Sequence, residues 1–189
     1  YYRFPTPYCM IQCIGPDLKL FADMHTETFF CESHEDYEPG ENFTALKYWL
    51  GYKLMVNPYQ PAEPLIQIFM EGYYGAAAPK MNAYLKYLEE RIDKQADWLR
   101  VHTAPHNLKY LDLNFFVTSE KLFEEAESLV KPGSLEALHV QRERSIVDGA
   151  LLHLWPWLER KLPLNAGMPF RAYTAERHAA WLRRKALEA

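Results

Sequence analysis

The sequence lacks the features that define several large classes of protein. It has three cysteines and no C-x-x-C pair, so we expect neither a disulfide framework nor a cysteine zinc site. No apolar run approaches the roughly 20 residues that a membrane-spanning helix needs. The only basic cluster, Arg183–Lys185, falls near the end of an expected helix, where cations favour the helix dipole. These absences argue against a nucleic-acid partner and against a membrane partner.

Motifs for cofactors and metals are also missing. The chain has no phosphate loop, no dinucleotide fingerprint and no signature of a serine nucleophile. His102 and His106 are four residues apart, but Pro105 would break the helix needed to align their rings. The acidic residues at 35–38 are not spaced like the alternating ligands of a calcium loop. We therefore expect no metal and no cofactor.

What the sequence does contain is typical of a soluble globular domain. Hydrophobic residues make up 49% of the 189 positions and charged residues 24%, which is enough for one good core. Aromatic residues reach 15%, and such rings suit both cores and carbohydrate sites. The chain begins at Tyr1 without a methionine, so we expect that the natural N-terminus is missing.

Helical periodicity covers most of the chain. Apolar residues recur at i, i+3 and i+4, and prolines, glycines and capping residues mark the ends. Residues 103–117 are expected to form a loop. The first predicted helix begins near Gly15–Pro16, and the last continues onward from Thr174. The helices between them are predicted from Glu41 to about Val56, from Pro61 or Pro64 to Gly72, from Ala78–Pro79 past Ile92, from Thr118 or Ser119 to Pro132–Gly133, and from Ser134 to about Trp155.

One short segment is expected to be a β-strand. Thr26 to Cys31 is rich in β-branched and aromatic residues and ends at Glu32. A solitary strand has no partner for its backbone hydrogen bonds, so the pattern implies further strands upstream of this chain.

Several motifs between Phe29 and Glu90 carry a resemblance to a known family. They are Phe-Phe-Cys-Glu-Ser at 29–33, Lys-Leu-Met-Val-Asn-Pro at 53–58 and Gly-Tyr-Tyr-Gly-Ala-Ala-Ala-Pro at 72–79. Together they resemble the bacterial family called domain of unknown function 4838. Val56 stands where that family usually has Trp, and Met24-His25 replaces an expected Gly. Neither departure falls on a candidate acid or base.

The resemblance implies a fold and a location. The family looks like a glycoside-hydrolase TIM (β/α)8 barrel, distantly similar to α-glucuronidases, with an all-helical region after the barrel. We therefore expect an α/β to mostly α chain. Residues 1–58 would be the end of the barrel, from the end of strand 7 to helix 8, and residues 59–189 the helical C-terminal region. A secreted or periplasmic location is a further expectation from the resemblance.

Glu32 is the candidate catalytic residue. Chemistry in such barrels sits at the C-terminal ends of the strands, and Glu32 follows the last expected strand. Partial desolvation beside Cys31 would raise the pKa of its carboxyl, as a general acid or base needs. Glycoside hydrolysis typically uses two carboxylates, so the second would lie outside this chain. The alternative is that Glu32 caps the loop or pairs with Arg3.

Four further residues are candidates for substrate binding. Tyr2, Arg3 and Tyr8 would line the rim after the preceding strand, where tyrosine can stack on a sugar and Arg3 can pair with a uronate carboxylate. His34 lies two residues beyond Glu32 and could hydrogen-bond to a sugar. Ordinary packing and surface exposure are the alternative for all four.

Two functions follow from these observations. The first is that the chain is the C-terminal part of a glycoside hydrolase acting on a carbohydrate, with Glu32 as general acid or base. This part alone would then be inactive. The second is that it is a non-catalytic helical packing or dimerisation module of a carbohydrate-associated protein, forming a homodimer through its C-terminal helices.

Overall fold

A computed structural model describes residues 5–30, 40–95 and 103–161. Across these ranges the backbone forms six α-helices joined by loops and short 3-10 turns. No helix in the described ranges is long and apolar enough to cross a membrane. The helices are α1 (Ile11–Asp23), α2 (Thr44–Val56), α3 (Ala62–Tyr74), α4 (Ala78–Asp93), α5 (Leu113–Ser128) and α6 (Leu135–Leu158), and the 3-10 turns are Gly75–Ala77, Pro105–Asn107 and Glu159–Lys161.

The expected TIM-barrel fold is wrong for this chain. Residues 26–30 of the expected strand have irregular backbone, and the described ranges contain no strand. The only strand-like pairing among them is an isolated parallel bridge between Thr6 and Glu41. Phe30 is 88% exposed, so this segment is not buried as a barrel strand would be. A composition that favours strands is overridden here because the described residues supply no neighbouring strand with backbone partners and a face to pack on.

Most predicted helices are confirmed, with shifted ends. α4 begins at Ala78, and the Ser134 hydroxyl accepts a hydrogen bond from the Ala137 N–H at the start of α6. α1 begins before Gly15 and contains Pro16, while α6 continues past Pro156. The helix expected from Thr174 lies outside the described residues.

The start of α5 was predicted too late. Thr118 and Ser119 lie inside the helix, which begins after Asp112. The Asp112 carboxylate accepts a hydrogen bond from the Phe115 N–H at 2.8 Å and pairs with Arg91 at 2.6 Å. Asp is among the residues that cap helices best, and the ion pair with α4 secures its position.

Four of the helices close a circuit around the core. α3 packs on α4, α4 on α5, α5 on α6, and α6 returns to α3, while α2 packs on α3 and α1 on α2. A single cluster of buried apolar residues extends from Cys9 to Leu158. It includes Leu54 and Met70, from both sides of the predicted domain boundary at residue 58. The boundary itself stays a prediction.

The turn between α3 and α4 depends on Gly75. Its φ of +53° is unfavourable for residues with a side chain, and a Cβ there would lie 3.1 Å from Glu136 Cγ. Tyr74 is fully buried, and the Tyr73 ring stacks on Phe69 with centroids 4.8 Å apart. Gly75 thus permits the turn, and Tyr73 and Tyr74 pack beside it.

We expect Asp112→Ala to lower the free energy of unfolding by about 1–2 kcal/mol, because it removes both the helix cap and the ion pair with Arg91. Asp112→Asn keeps a capping oxygen and should lose less. Urea unfolding followed by circular dichroism measures both. A loss for Asp112→Ala no larger than that for Asp112→Asn would contradict the capping role.

Candidate functional site

Of the five residues predicted to form a site, Tyr8 alone lies in the part of the chain that the structure describes. Tyr2, Arg3, Glu32 and His34 lie outside the described residues. Their predicted roles therefore stay predictions. The structure does describe the residues that follow them in the chain, at 5–10 and at 40–43.

Tyr8 lies beside an ion pair. The Lys47 ammonium is 5.7 Å from the centroid of the Tyr8 ring and is paired with the Glu41 carboxylate. Burial, helped by the nearby Glu41 charge, raises the pKa of Tyr8 to about 12. The phenol is therefore protonated at neutral pH. It can donate a hydrogen bond to a ligand or accept one, but it cannot serve as a base.

The segment containing Tyr8 is held next to the start of α2. Thr6 and Glu41 form the parallel bridge, and the Tyr110 hydroxyl donates a hydrogen bond to the Pro7 carbonyl oxygen at 2.9 Å. Cys9, directly after Tyr8, is 1% exposed. The described residues after Arg3 and after His34 thus lie side by side.

A buried carboxylate lies where α6 meets the end of α3 and the residues before α2. Glu143, on α6, is 3% exposed. Its Oε2 accepts hydrogen bonds from Asn42 Nδ2 and from the Phe43 N–H, both at 2.8 Å. Its Oε1 accepts one from the Tyr74 hydroxyl at 3.1 Å. Both carboxylate oxygens therefore have donors within the protein.

Asn42 extends this cluster to α4. Its Nδ2 also donates to the Glu143 carbonyl oxygen at 3.0 Å, and its Oδ1 accepts from the Tyr84 hydroxyl at 2.9 Å. Asn42, Tyr74 and Tyr84 are all fully buried. We call Asn42, Phe43, Tyr74, Tyr84 and Glu143 the carboxylate cluster.

The electrostatics of the carboxylate cluster follow from its burial. Desolvation raises the pKa of Glu143, and the hydrogen bonds from Asn42, Phe43 and Tyr74 oppose that rise. Desolvation, reinforced by the Glu143 charge, holds the pKa of Tyr74 and of Tyr84 well above the usual value. The tyrosines therefore remain hydrogen-bond donors, and the cluster acts as an internal support.

Sequence reasoning missed Glu143. It lies in the run Gln-Arg-Glu-Arg at 141–144, which looks like the solvated face of a helix. The available signal is the spacing of Val140, Glu143 and Val147, which places the carboxylate on the same helix face as two buried valines. Spacing alone does not identify the donors, which come from residues about 100 and 69 positions away along the chain.

The described cysteines and metal-ligand side chains form no reactive centre. Cys9 and Cys13 are free, and burial raises the pKa of both thiols, which disfavours the reactive thiolate. Within the described residues, no group of three or more His, Cys, Asp or Glu side chains is arranged to hold a metal ion.

The described part of the chain is thus an all-helical protein built around a buried carboxylate. Residues 1–86 match the family model described as Domain of unknown function (DUF4838), which supports the family predicted from the motifs. The match ends within α4 and does not reach Glu143. No curated protein and no solved structure matches the chain.

We expect the stability of the wild type relative to Glu143→Gln to fall as pH rises. A raised folded pKa means that the folded state holds the proton more tightly than the unfolded state. The contribution of the Glu143 carboxyl to the free energy of unfolding is therefore fully present below its pKa in the unfolded state, near 4.5. It is lost as pH rises through its pKa in the folded state.

Urea unfolding of both proteins between about pH 4 and about pH 8 measures this difference. Glu125→Gln is the control, because the ion pair with Lys80 lowers the pKa of Glu125 and predicts the opposite slope. If the stability of the wild type relative to Glu143→Gln stayed level or grew with pH, the raised pKa of Glu143 would be contradicted.

Proposed function

We propose that the described helices act as a packing and dimerisation module of a carbohydrate-associated protein, with no catalytic groups of their own. The observation that carries this proposal is a concentration of exposed apolar side chains on α1, on α2 and on the segments that follow these helices. We call this surface the α1–α2 face. Its members, 38–88% exposed, are Leu20, Phe21, Met24, Phe29, Phe30, Tyr52, Met55, Val56 and Tyr59.

Contacts within the α1–α2 face support its treatment as one surface. The rings of Phe21 and Phe29 have centroids 5.5 Å apart. The Tyr59 hydroxyl donates a hydrogen bond to the Asp23 carboxylate at 2.8 Å, which links the end of α1 to the loop after α2. α1 also packs on α2, so the two groups of apolar side chains lie on adjacent helices.

The size of the α1–α2 face suits a second copy of this chain. At roughly 200 Å² for each large side chain, its exposed fractions amount to about 1,000 Å². A stable interface buries about 800 Å² on each partner, whereas the largest apolar patch of a typical monomer is about 300–600 Å². Apolar area of this extent favours association over permanent exposure to water.

The charges around the α1–α2 face also suit a symmetric pair. Lys19 and Lys53 are exposed, as are Asp23 and Glu27. A two-fold axis brings the same surface of two copies together, so cations of one copy can face carboxylates of the other. The proposed dimer interface therefore lies on α1 and α2, and not on the C-terminal helices, where the sequence had led us to expect it.

A second proposal is that the protein containing this chain cleaves glycosides, with Glu32 as general acid or base. Its support is the family match over residues 1–86, which includes Glu32, together with the bridge between Thr6 and Glu41. In the chain, Thr6 follows Tyr2 and Arg3, and Glu41 follows Glu32 and His34. The α-glucuronidase-like activity and the sugar contacts of Tyr2, Arg3 and His34 belong to this proposal. A second carboxylate is still required.

The dimer proposal predicts a concentration-dependent dimer in sedimentation velocity. Val56→Lys places a charge on the α1–α2 face and should weaken association at least about tenfold. Leu135→Lys changes an equally apolar residue, 69% exposed on α6, and should leave the dimer unchanged. A wild-type protein that stays monomeric at every concentration would overturn the proposal.

The glycosidase proposal predicts that Glu32→Gln lowers kcat/KM of the full-length protein at least about 100-fold, because proton transfer by a placed carboxyl contributes that much or more. A panel of 4-nitrophenyl glycosides and glycuronides serves as substrate. Glu35→Gln, a nearby acidic residue of the same segment, is the matched control. Wild-type hydrolysis by Glu32→Gln would remove the catalytic assignment.

A further inference from the structure

We infer that Glu143 is a positioning residue, which locks the backbone turn at Phe43 and thereby holds Glu41 beside Thr6. Glu32 and His34 precede this turn in the chain. The catalytic consequence of the lock rests on the glycosidase proposal, whereas the lock itself is a property of the described residues.

The backbone at Phe43 is in an unfavourable conformation. Its φ of 57° and ψ of 29° place it in the left-handed region, where bulky residues are outliers. The residue before a helix is usually extended and provides a polar side chain as a cap, but Phe43 provides no such hydrogen bond. A conformation of this kind persists only where the surroundings impose it.

Two interactions impose this turn. The Phe43 N–H donates to Glu143 Oε2 at 2.8 Å, in a charge-assisted hydrogen bond when the carboxyl is ionised. The Phe43 ring is fully buried between Tyr84, at 5.7 Å between centroids, and Tyr74, at 6.4 Å in an edge-to-face arrangement. The ring anchors the side chain, and the carboxylate sets the direction of the backbone.

The same oxygen also holds the residue before the turn. Asn42 Nδ2 donates to Glu143 Oε2 at 2.8 Å, so two consecutive residues converge on a single acceptor. The opposite oxygen is held by Tyr74 at 3.1 Å. Because donors on two elements hold the carboxylate, it cannot rotate without breaking at least one buried hydrogen bond, which is costly.

The constraint extends to the pairing between Glu41 and Thr6. The Thr44 hydroxyl donates to the Glu41 carbonyl oxygen at 2.7 Å, directly before the turn. Glu41 also pairs with Lys47 and bridges to Thr6. A change of direction at Phe43 would therefore displace Glu41 from Thr6.

Amide hydrogen exchange tests the lock without reference to activity. Glu143→Met removes both acceptor oxygens at similar volume, and we expect the Phe43 amide to exchange at least about tenfold faster relative to amides of α5. Glu143→Gln retains an acceptor oxygen and should restore most of the protection. If Glu143→Met does not fold, Asn42→Ala serves in its place. It removes one of the two side chains that donate to the Glu143 carboxylate, and exchange should again accelerate more at the Phe43 amide than in α5.

Asp148→Asn is the matched control. Asp148 is a buried carboxylate on the same helix, 2% exposed and 3.8 Å from Arg144 Nε. Its substitution should accelerate exchange in α5 and α6 without a selective effect at Phe43. Equal acceleration of Phe43 and α5 in Glu143→Met, or a selective effect at Phe43 in Asp148→Asn, would overturn the inference.

The positioning role predicts a separate kinetic result in the full-length protein, measured with a 4-nitrophenyl glycoside that it hydrolyses. Glu143→Met should lower kcat at least about tenfold with KM changed less than twofold, and Glu143→Gln should recover most of kcat. Full activity of Glu143→Met would overturn the positioning role. Full activity of Glu32→Gln would instead overturn the glycosidase proposal, and the exchange result at Phe43 would stand independently.

Discussion

A carboxylate without access to water needs hydrogen-bond donors from the protein, and the arrangement of this molecule follows from how Glu143 obtains them. Its donors come from the residues that lead into α2 and from α3, and Asn42 continues the contacts to Tyr84 on α4. Because Glu143 lies on α6, one side chain joins elements that are far apart in the chain. The apolar core stabilises the helices, and the carboxylate cluster links α6 to the residues before α2, to α3 and, through Asn42, to α4.

The polar and apolar surfaces of the described residues are distributed in an unusual way. The carboxylate cluster is inside, and its oxygens are occupied by donors of the fold itself. Large apolar side chains such as Phe30 and Val56 are outside, on the α1–α2 face. Large exposed apolar patches mark interaction surfaces, which is the basis of the dimer proposal. The chemistry proposed for the protein rests on Glu32, which lies outside the described residues.

The failed strand prediction and the successful helix predictions have the same physical origin. A helix satisfies its backbone hydrogen bonds within one segment, so periodicity and end signals suffice to locate α2, α4 and α6. A strand requires a second strand, and nothing in Thr26 to Cys31 specifies whether one is present. The start of α5 at Asp112 was missed because its cap is secured by Arg91, a contact between elements that periodicity does not reveal.

The sequence by itself determined the approximate limits of most helices in the described ranges and the family resemblance of the N-terminal part. It also singled out Glu32 and Tyr8 as candidates, of which the structure describes Tyr8. Only the tertiary structure decided the environment of Glu143 and the left-handed conformation of Phe43. Helix periodicity is a local property that neighbouring residues encode. Burial of a charge and strain in a backbone depend on partners about 100 residues away, and only folding brings those partners within hydrogen-bonding distance.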